Sequence, residues 1–171
     1  MTADTKSSDT KPSFARELVI TRVFEAPRSL VFKAWTDPKQ MMQWWGPKGF
    51  TNPVCEIDAR PGGAIRIVMR APDDVPAHAR GDHPMDGVFL EVVEPERLVF
   101  TASVDDADGD RLFEVLNTVT FVERGGKTTL TLRAQARVVK ATAQVAMMLG
   151  GMEEGWNQSL DRLGALVARL R

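Results

Sequence analysis

The chain contains no tyrosine, one cysteine and two histidines in 171 residues. The lone thiol, Cys55, excludes an internal disulfide and every metal site built from several cysteines. Early in an expected strand, it reads as a small hydrophobe. Both histidines, His78 and His83, fall in the segment Ala71–Pro84, so a Ser–His–Asp or Cys–His arrangement would need that segment beside a buried nucleophile. No run approaches the roughly 18 consecutive apolar residues of a membrane span. Neither sign of charge dominates: the net charge is −1 and no basic stretch is interleaved with aromatics, so nucleic acid is not an expected partner. Residues 1–13, MTADTKSSDTKPS, lack the apolar core of a signal peptide and read as a disordered tail. The expectation is a cytoplasmic chain with a single domain over residues 14–171, long enough to bury a core without staples.

Several local patterns invite chemistry and fail on geometry. A metal site needs three or four convergent ligands, and no spacing fixes His78 and His83 relative to Asp73, Asp74, Asp82 and Asp86. If Ala71–Pro84 is a loop folded over a cavity mouth, His78 or His83 would instead touch a ligand. In the acidic turn Asp105–Asp110, a calcium-loop alignment starting at Asp106 puts Arg111 where the sharp turn requires glycine. The Gly62-Gly63 and Gly125-Gly126 pairs have no helix after them, so no phosphate cradle is expected, and no metal or cofactor with it.

What the chain has is clear periodicity. From Ala143 to Arg171, Val145, Leu149, Met152, Trp156, Leu160, Leu163, Val167 and Leu170 recur at steps of three and four, which predicts one long amphipathic helix. Gly150, Gly151, Gly155 and Gly164 lie inside it, each costing about 1 kcal/mol relative to alanine. Gly151, Gly155 and Ser159 form a ridge of small residues beside the stripe, made either for close packing or for a ligand. Upstream, Arg16–Glu25 reads as a strand. Two short helices follow, the first with Leu30, Val31, Ala34 and Trp35 on one face, the second capped by Asp37 with Pro38 in its first turn and running through Met41, Met42 and Trp44. Strands are then expected at Val54–Asp58, Ala64–Arg70, Val88–Val93, Arg97–Val104, Leu112–Glu123 and Thr128–Val138. In the last, Thr128, Leu130, Leu132, Ala134, Ala136 and Val138 share a face, and the inward side chains shrink along it. A meander this long curls, and its concave face is the one surface able to bury the terminal helix.

Strand, two short helices, six-stranded meander and long helix resemble the helix-grip fold of the START/Bet v 1-like superfamily (SRPBCC). The local motifs are, in order, Arg22-Val23-Phe24-Glu25-Ala26-Pro27, Ala34-Trp35-Thr36-Asp37-Pro38, Trp44-Trp45-Gly46-Pro47, Pro61-Gly62-Gly63, Gly87-Val88-Phe89-Leu90-Glu91-Val92, Glu96-Arg97-Leu98-Val99-Phe100-Thr101 and Gly151-Met152-Glu153-Glu154-Gly155-Trp156. They resemble one branch of that superfamily, the activator of heat-shock protein 90 ATPase homologue (AHSA-like) family. The fold this implies is α+β, with a seven-stranded curved antiparallel sheet around the C-terminal helix. The resemblance also implies a small hydrophobic molecule bound, without catalysis, in a cavity between sheet and helix. Parity and resemblance together place Trp44, Met69, Phe100, Phe113, Asn117, Met148, Met152 and Trp156 on that cavity's wall, with no catalytic residue assigned. Two alternatives stand beside this reading: a cyclase- or hydrolase-like enzyme using the cavity, and a protein-interaction or co-chaperone-like module. Self-association as a homodimer, through Trp44-Trp45 or a sheet edge, is a further expectation.

Overall fold

The computed structural model describes residues 15–170. The tail expected over residues 1–13 lies outside the described residues. Seven strands follow in chain order: β1 (Arg16–Phe24), β2 (Thr51–Ile57), β3 (Ala64–Arg70), β4 (Asp82–Val93), β5 (Arg97–Asp105), β6 (Arg111–Arg124) and β7 (Lys127–Val138). They form one curved antiparallel sheet in the order β1-β7-β6-β5-β4-β3-β2. Hairpins join β2 through β7 in succession, and β1 closes on β7 with Leu18 opposite Ala134 and Phe24 opposite Thr128. In β7 the side chains of Thr128, Leu130, Leu132, Ala134 and Ala136 are all fully buried, as the alternation requires of a strand with one wet face.

Helices α1 (Arg28–Thr36) and α2 (Pro38–Trp44) connect β1 to β2 in the chain. Pro27 precedes α1, and Val31, Phe32, Ala34 and Trp35 form its buried face. Asp37 caps α2: its carboxylate accepts from the Lys39 amide at 2.9 Å, and Pro38 occupies the first turn, where a missing N–H costs nothing. Replacing Asp37 with alanine is expected to lower unfolding free energy by about 1 kcal/mol, read as a shifted urea midpoint at unchanged slope.

The terminal helix is two helices. α3 (Ala143–Gly150) and α4 (Met152–Leu170) are separated at Gly151, whose ψ of 1° departs from helical geometry. The ladder runs into this residue, Gly151 N–H donating to Met147 O at 3.1 Å, and restarts from it, Gly155 N–H donating to Gly151 O at 2.9 Å. Two adjacent glycines leave the turn without side-chain packing to hold it straight, so the expected continuous stripe divides. Val145 and Leu149 bury the inner edge of α3, whose start is capped by the Thr142 hydroxyl accepting from the Val145 amide at 3.1 Å. Leu160, Leu163, Leu166 and Val167 of α4 enter the core, whereas Leu170 is exposed.

The segment expected as a loop to Pro84 gives way to strand at Asp82, six residues earlier than the expected start of β4. Proline is tolerated there because β4 pairs with β3 through this stretch, while its pairing with β5 begins only at Asp86 opposite Ser103.

Candidate functional site

The sheet and the α3–α4 unit do not close completely on each other. Between them lies a cavity of about 570 Å³. Met69 of β3, Met85 of β4, Ala102 and Val104 of β5, and Leu112, Phe113, Val115 and Asn117 of β6 form the sheet side. Met148 and Leu149 of α3, with Gly151, Met152, Gly155, Trp156 and Ser159 of α4, form the helical side. The turn Trp45-Gly46-Pro47 closes one end, and Asp82, His83, Asp105, Asp106 and Gln144 stand around the rest.

That turn is held from several directions. Gly46 has φ +97°, a conformation glycine adopts freely, and a Cβ there would fall 2.9 Å from the Met69 sulfur. Its N–H donates to Ser159 Oγ at 3.0 Å, and the Lys48 N–H donates to Gln158 Oε1 at 2.9 Å. Asn52 Nδ2 donates to the carbonyls of Met42 and Trp45, each at 2.9 Å. The guanidinium of Arg162 sits inside the turn and donates to five backbone carbonyls, those of Trp45, Gly46, Pro47, Gln43 and Phe50, at 2.9–3.2 Å. Burial pushes its pKa below the ordinary value. Arg162 is therefore a structural cation neutralised by peptide dipoles.

Six of the residues expected on the wall do meet there: Met69, Phe113, Asn117, Met148, Met152 and Trp156. Trp44 and Phe100 do not. Trp44 is the last residue of α2; its ring is fully buried, and Nε1 donates to Ala34 O at 2.9 Å. The wall position belongs to Trp45, which follows the helix end in extended backbone. Phe100 lies in the adjoining core, 6.0 Å from Phe89 and 6.2 Å from Trp35, centroid to centroid. The four tryptophans nevertheless form one cluster: Trp35 stacks on Trp156 at 6.0 Å, Trp45 meets Trp156 edge-on at 5.3 Å, and Trp35 meets Trp44 at 4.7 Å.

His83 is on β4, opposite Met69, and its Nε2 lies 2.7 Å from Ala79 O. His78 belongs to the short 3-10 turn Ala77–Ala79, and its side chain lies outside the described residues. Sequence reasoning passed over Arg162 and Trp45. The signal for Arg162 was its spacing: it falls one turn beyond Ser159 on the face that carries Gly151, Gly155 and Ser159.

Two of the rim acids, Asp82 and Asp106, are held in the charged form. A hydrogen bond from Arg70, at 2.8 Å, keeps the Asp82 carboxyl below its usual range. Asp106 is lowered by the Lys140 ammonium at 3.0 Å and by backbone donors from Asp110 and Asp108. Cys55 lies off the cavity, and burial, with help from Asp37 and Glu56, pushes its thiol up to about 11. No cluster of three or more His, Cys, Asp or Glu side chains placed to hold a metal occurs among the described residues. No helix among them is long and apolar enough to cross a membrane.

Known structures share this architecture. A protein from Chromobacterium violaceum is 31% identical, with a TM-score of 0.70 over 88% of this chain and 96% of its own. One from Rhizobium leguminosarum is 26% identical, with a TM-score of 0.72 over 90% of this chain and 95% of its own. The AHSA1 protein of Silicibacter pomeroyi is 25% identical, with a TM-score of 0.71 over 91% of this chain and all of its own. No curated protein matches the chain. The family model described as activator of Hsp90 ATPase homolog 1-like protein matches residues 25–168, and with the motifs in order on a START/Bet v 1-like helix-grip frame, the chain belongs to that family.

Proposed function

We propose that this protein binds a small, largely apolar molecule in the cavity between the sheet and the α3–α4 unit. The observation that carries this reading is the cavity itself, about 570 Å³ and walled mainly by Met, Trp, Phe, Leu, Val, Ala and Pro residues. That is the size and character of ordinary small-molecule pockets. Methionines at 69, 85, 148 and 152 suit ligands of varied outline, because an unbranched thioether repacks easily.

Catalysis is the weaker reading on the chemistry of the wall. The Asp82 and Asp106 carboxyls at the rim are paired and held below their usual range, so they are poor proton donors, and the Cys55 thiol is both off the cavity and protonated at neutral pH. The test is native mass spectrometry of the purified protein, followed by solvent extraction and by titration with naphthalene, monitored by tryptophan fluorescence. A co-purifying apolar molecule, or saturable one-to-one quenching from Trp45 and Trp156, is the expected result. A protein that emerges empty and shows no saturable response to naphthalene overturns the reading.

A further inference from the structure

We infer that the cavity selects neutral ligands carrying a hydrogen-bond donor on a flat apolar body, and that Asn117 is the residue that reads the donor. This rests on the cavity being a binding site. Asn117 is on its wall, only 1% exposed, and its Oδ1 has no hydrogen-bond partner among the described residues. The cross-strand neighbours, Phe100 on β5 and Ala134 on β7, offer its side chain nothing polar. A buried amide oxygen without a partner is costly, and native structures rarely keep one without a reason. The terminal torsion of an asparagine is broad, so Oδ1 turns to the cavity surface when a donor arrives there.

Charge narrows the class further. Among the described residues no lysine or arginine lines the cavity, whereas Asp82, Asp105 and Asp106 stand at its rim. The cations beside it are already engaged, Arg70 with Asp82, Arg111 with Asp105, Lys140 with Asp106, and Arg162 with the backbone carbonyls of the turn. A carboxylate or phosphate would pass an acidic rim, lose its hydration and meet no counter-charge inside. A phenol- or aryl-amide-like molecule loses little by comparison and satisfies Asn117. The edge-on Trp45 and Trp156 rings, with Phe113, present the aromatic surfaces that a flat body would contact.

A matched series tests this: naphthalene, 2-naphthol, 2-methoxynaphthalene and 2-naphthoate, titrated calorimetrically at pH 7 into the wild-type protein and into Asn117→Leu. In the wild type, 2-naphthol is expected to bind about tenfold more tightly than naphthalene, the equivalent of one satisfied buried hydrogen bond. 2-Methoxynaphthalene, which accepts but cannot donate, gains nothing, and 2-naphthoate binds most weakly. In Asn117→Leu, a close match in shape, 2-naphthol loses its advantage while naphthalene keeps its affinity. Equal affinities for naphthalene and 2-naphthol, an equal gain from the methoxy compound, a preference for the carboxylate, or a leucine variant that keeps the advantage would each overturn the inference and leave cavity binding standing. Binding by none of the four to the wild type overturns both. Should the leucine variant fail to fold, the wild-type series decides by itself.

Discussion

Replacing Arg162 with methionine is expected to lower the unfolding free energy by about 3 kcal/mol, and replacing it with lysine by about half as much. The guanidinium donates to five carbonyls of residues 43–50 at once. Methionine fills much of the same volume but donates nothing, so those carbonyls lose a charged partner and recover water only in part. The loss is smaller than five separate hydrogen bonds because the wild-type cation is itself partly desolvated by burial, the cause that lowers its pKa. Lysine supplies a point charge with three donors in place of a planar fork. Urea unfolding at constant slope checks the magnitude. The same titrations should show weaker naphthalene binding, since the turn held by Arg162 carries Trp45, Gly46 and Pro47 to the cavity wall. An unchanged midpoint would show that Asn52, Gln158 and Ser159 hold the turn without it.

The frame was legible because its signals are local and redundant. The alternation of β7, the Asp37-Pro38 helix start and the ordered family motifs each point to the same arrangement, and each is present in the structure. Errors gathered where two local rules compete. In Trp44-Trp45-Gly46-Pro47 the helix pattern favoured the first tryptophan as the wall residue. The helix does end at Trp44, but that ring is taken into the core, where Nε1 donates to Ala34 O, and Trp45, in extended backbone just beyond, lines the cavity. At Gly150-Gly151 the apolar spacing continues smoothly while the backbone does not, because side-chain periodicity carries no information on where a ladder gives way. Pro84 suggested a loop, and only the late start of β5 pairing explains its place in a strand. Arg162 was hidden by its type: a charged residue near a helical stripe ordinarily faces water, and only the tertiary approach of residues 43–50 gives it five acceptors.

Gly155→Leu should separate stability from binding by moving them in opposite directions. Gly155 lies on the cavity wall in the first turns of α4, and a Cβ placed there meets nothing closer than Pro47 Cγ at 3.9 Å. Packing therefore does not require glycine at this position, although a helix interior disfavours it. At Gly151, likewise on the wall, the nearest atom to a Cβ is Met147 O at 3.7 Å. Gly164 is different, since its Cβ would lie in ordinary contact, 3.5 Å from the Phe24 ring. The first two glycines are thus better explained by the space they leave than by close approach of a neighbour. A leucine at 155 gains up to about 1 kcal/mol in helix propensity and buries apolar area against the wall. The melting temperature is expected to stay level or rise by a few degrees. The same side chain occupies volume that a ligand would use, and crowding a packed site typically costs about 1–3 kcal/mol, so naphthalene should bind about 10–100-fold more weakly. Gly155→Ala is the graded control: it should raise stability with only a small effect on binding. A leucine variant that folds well and binds naphthalene as tightly as the wild type would move the binding site out of the cavity, whatever the cavity's size.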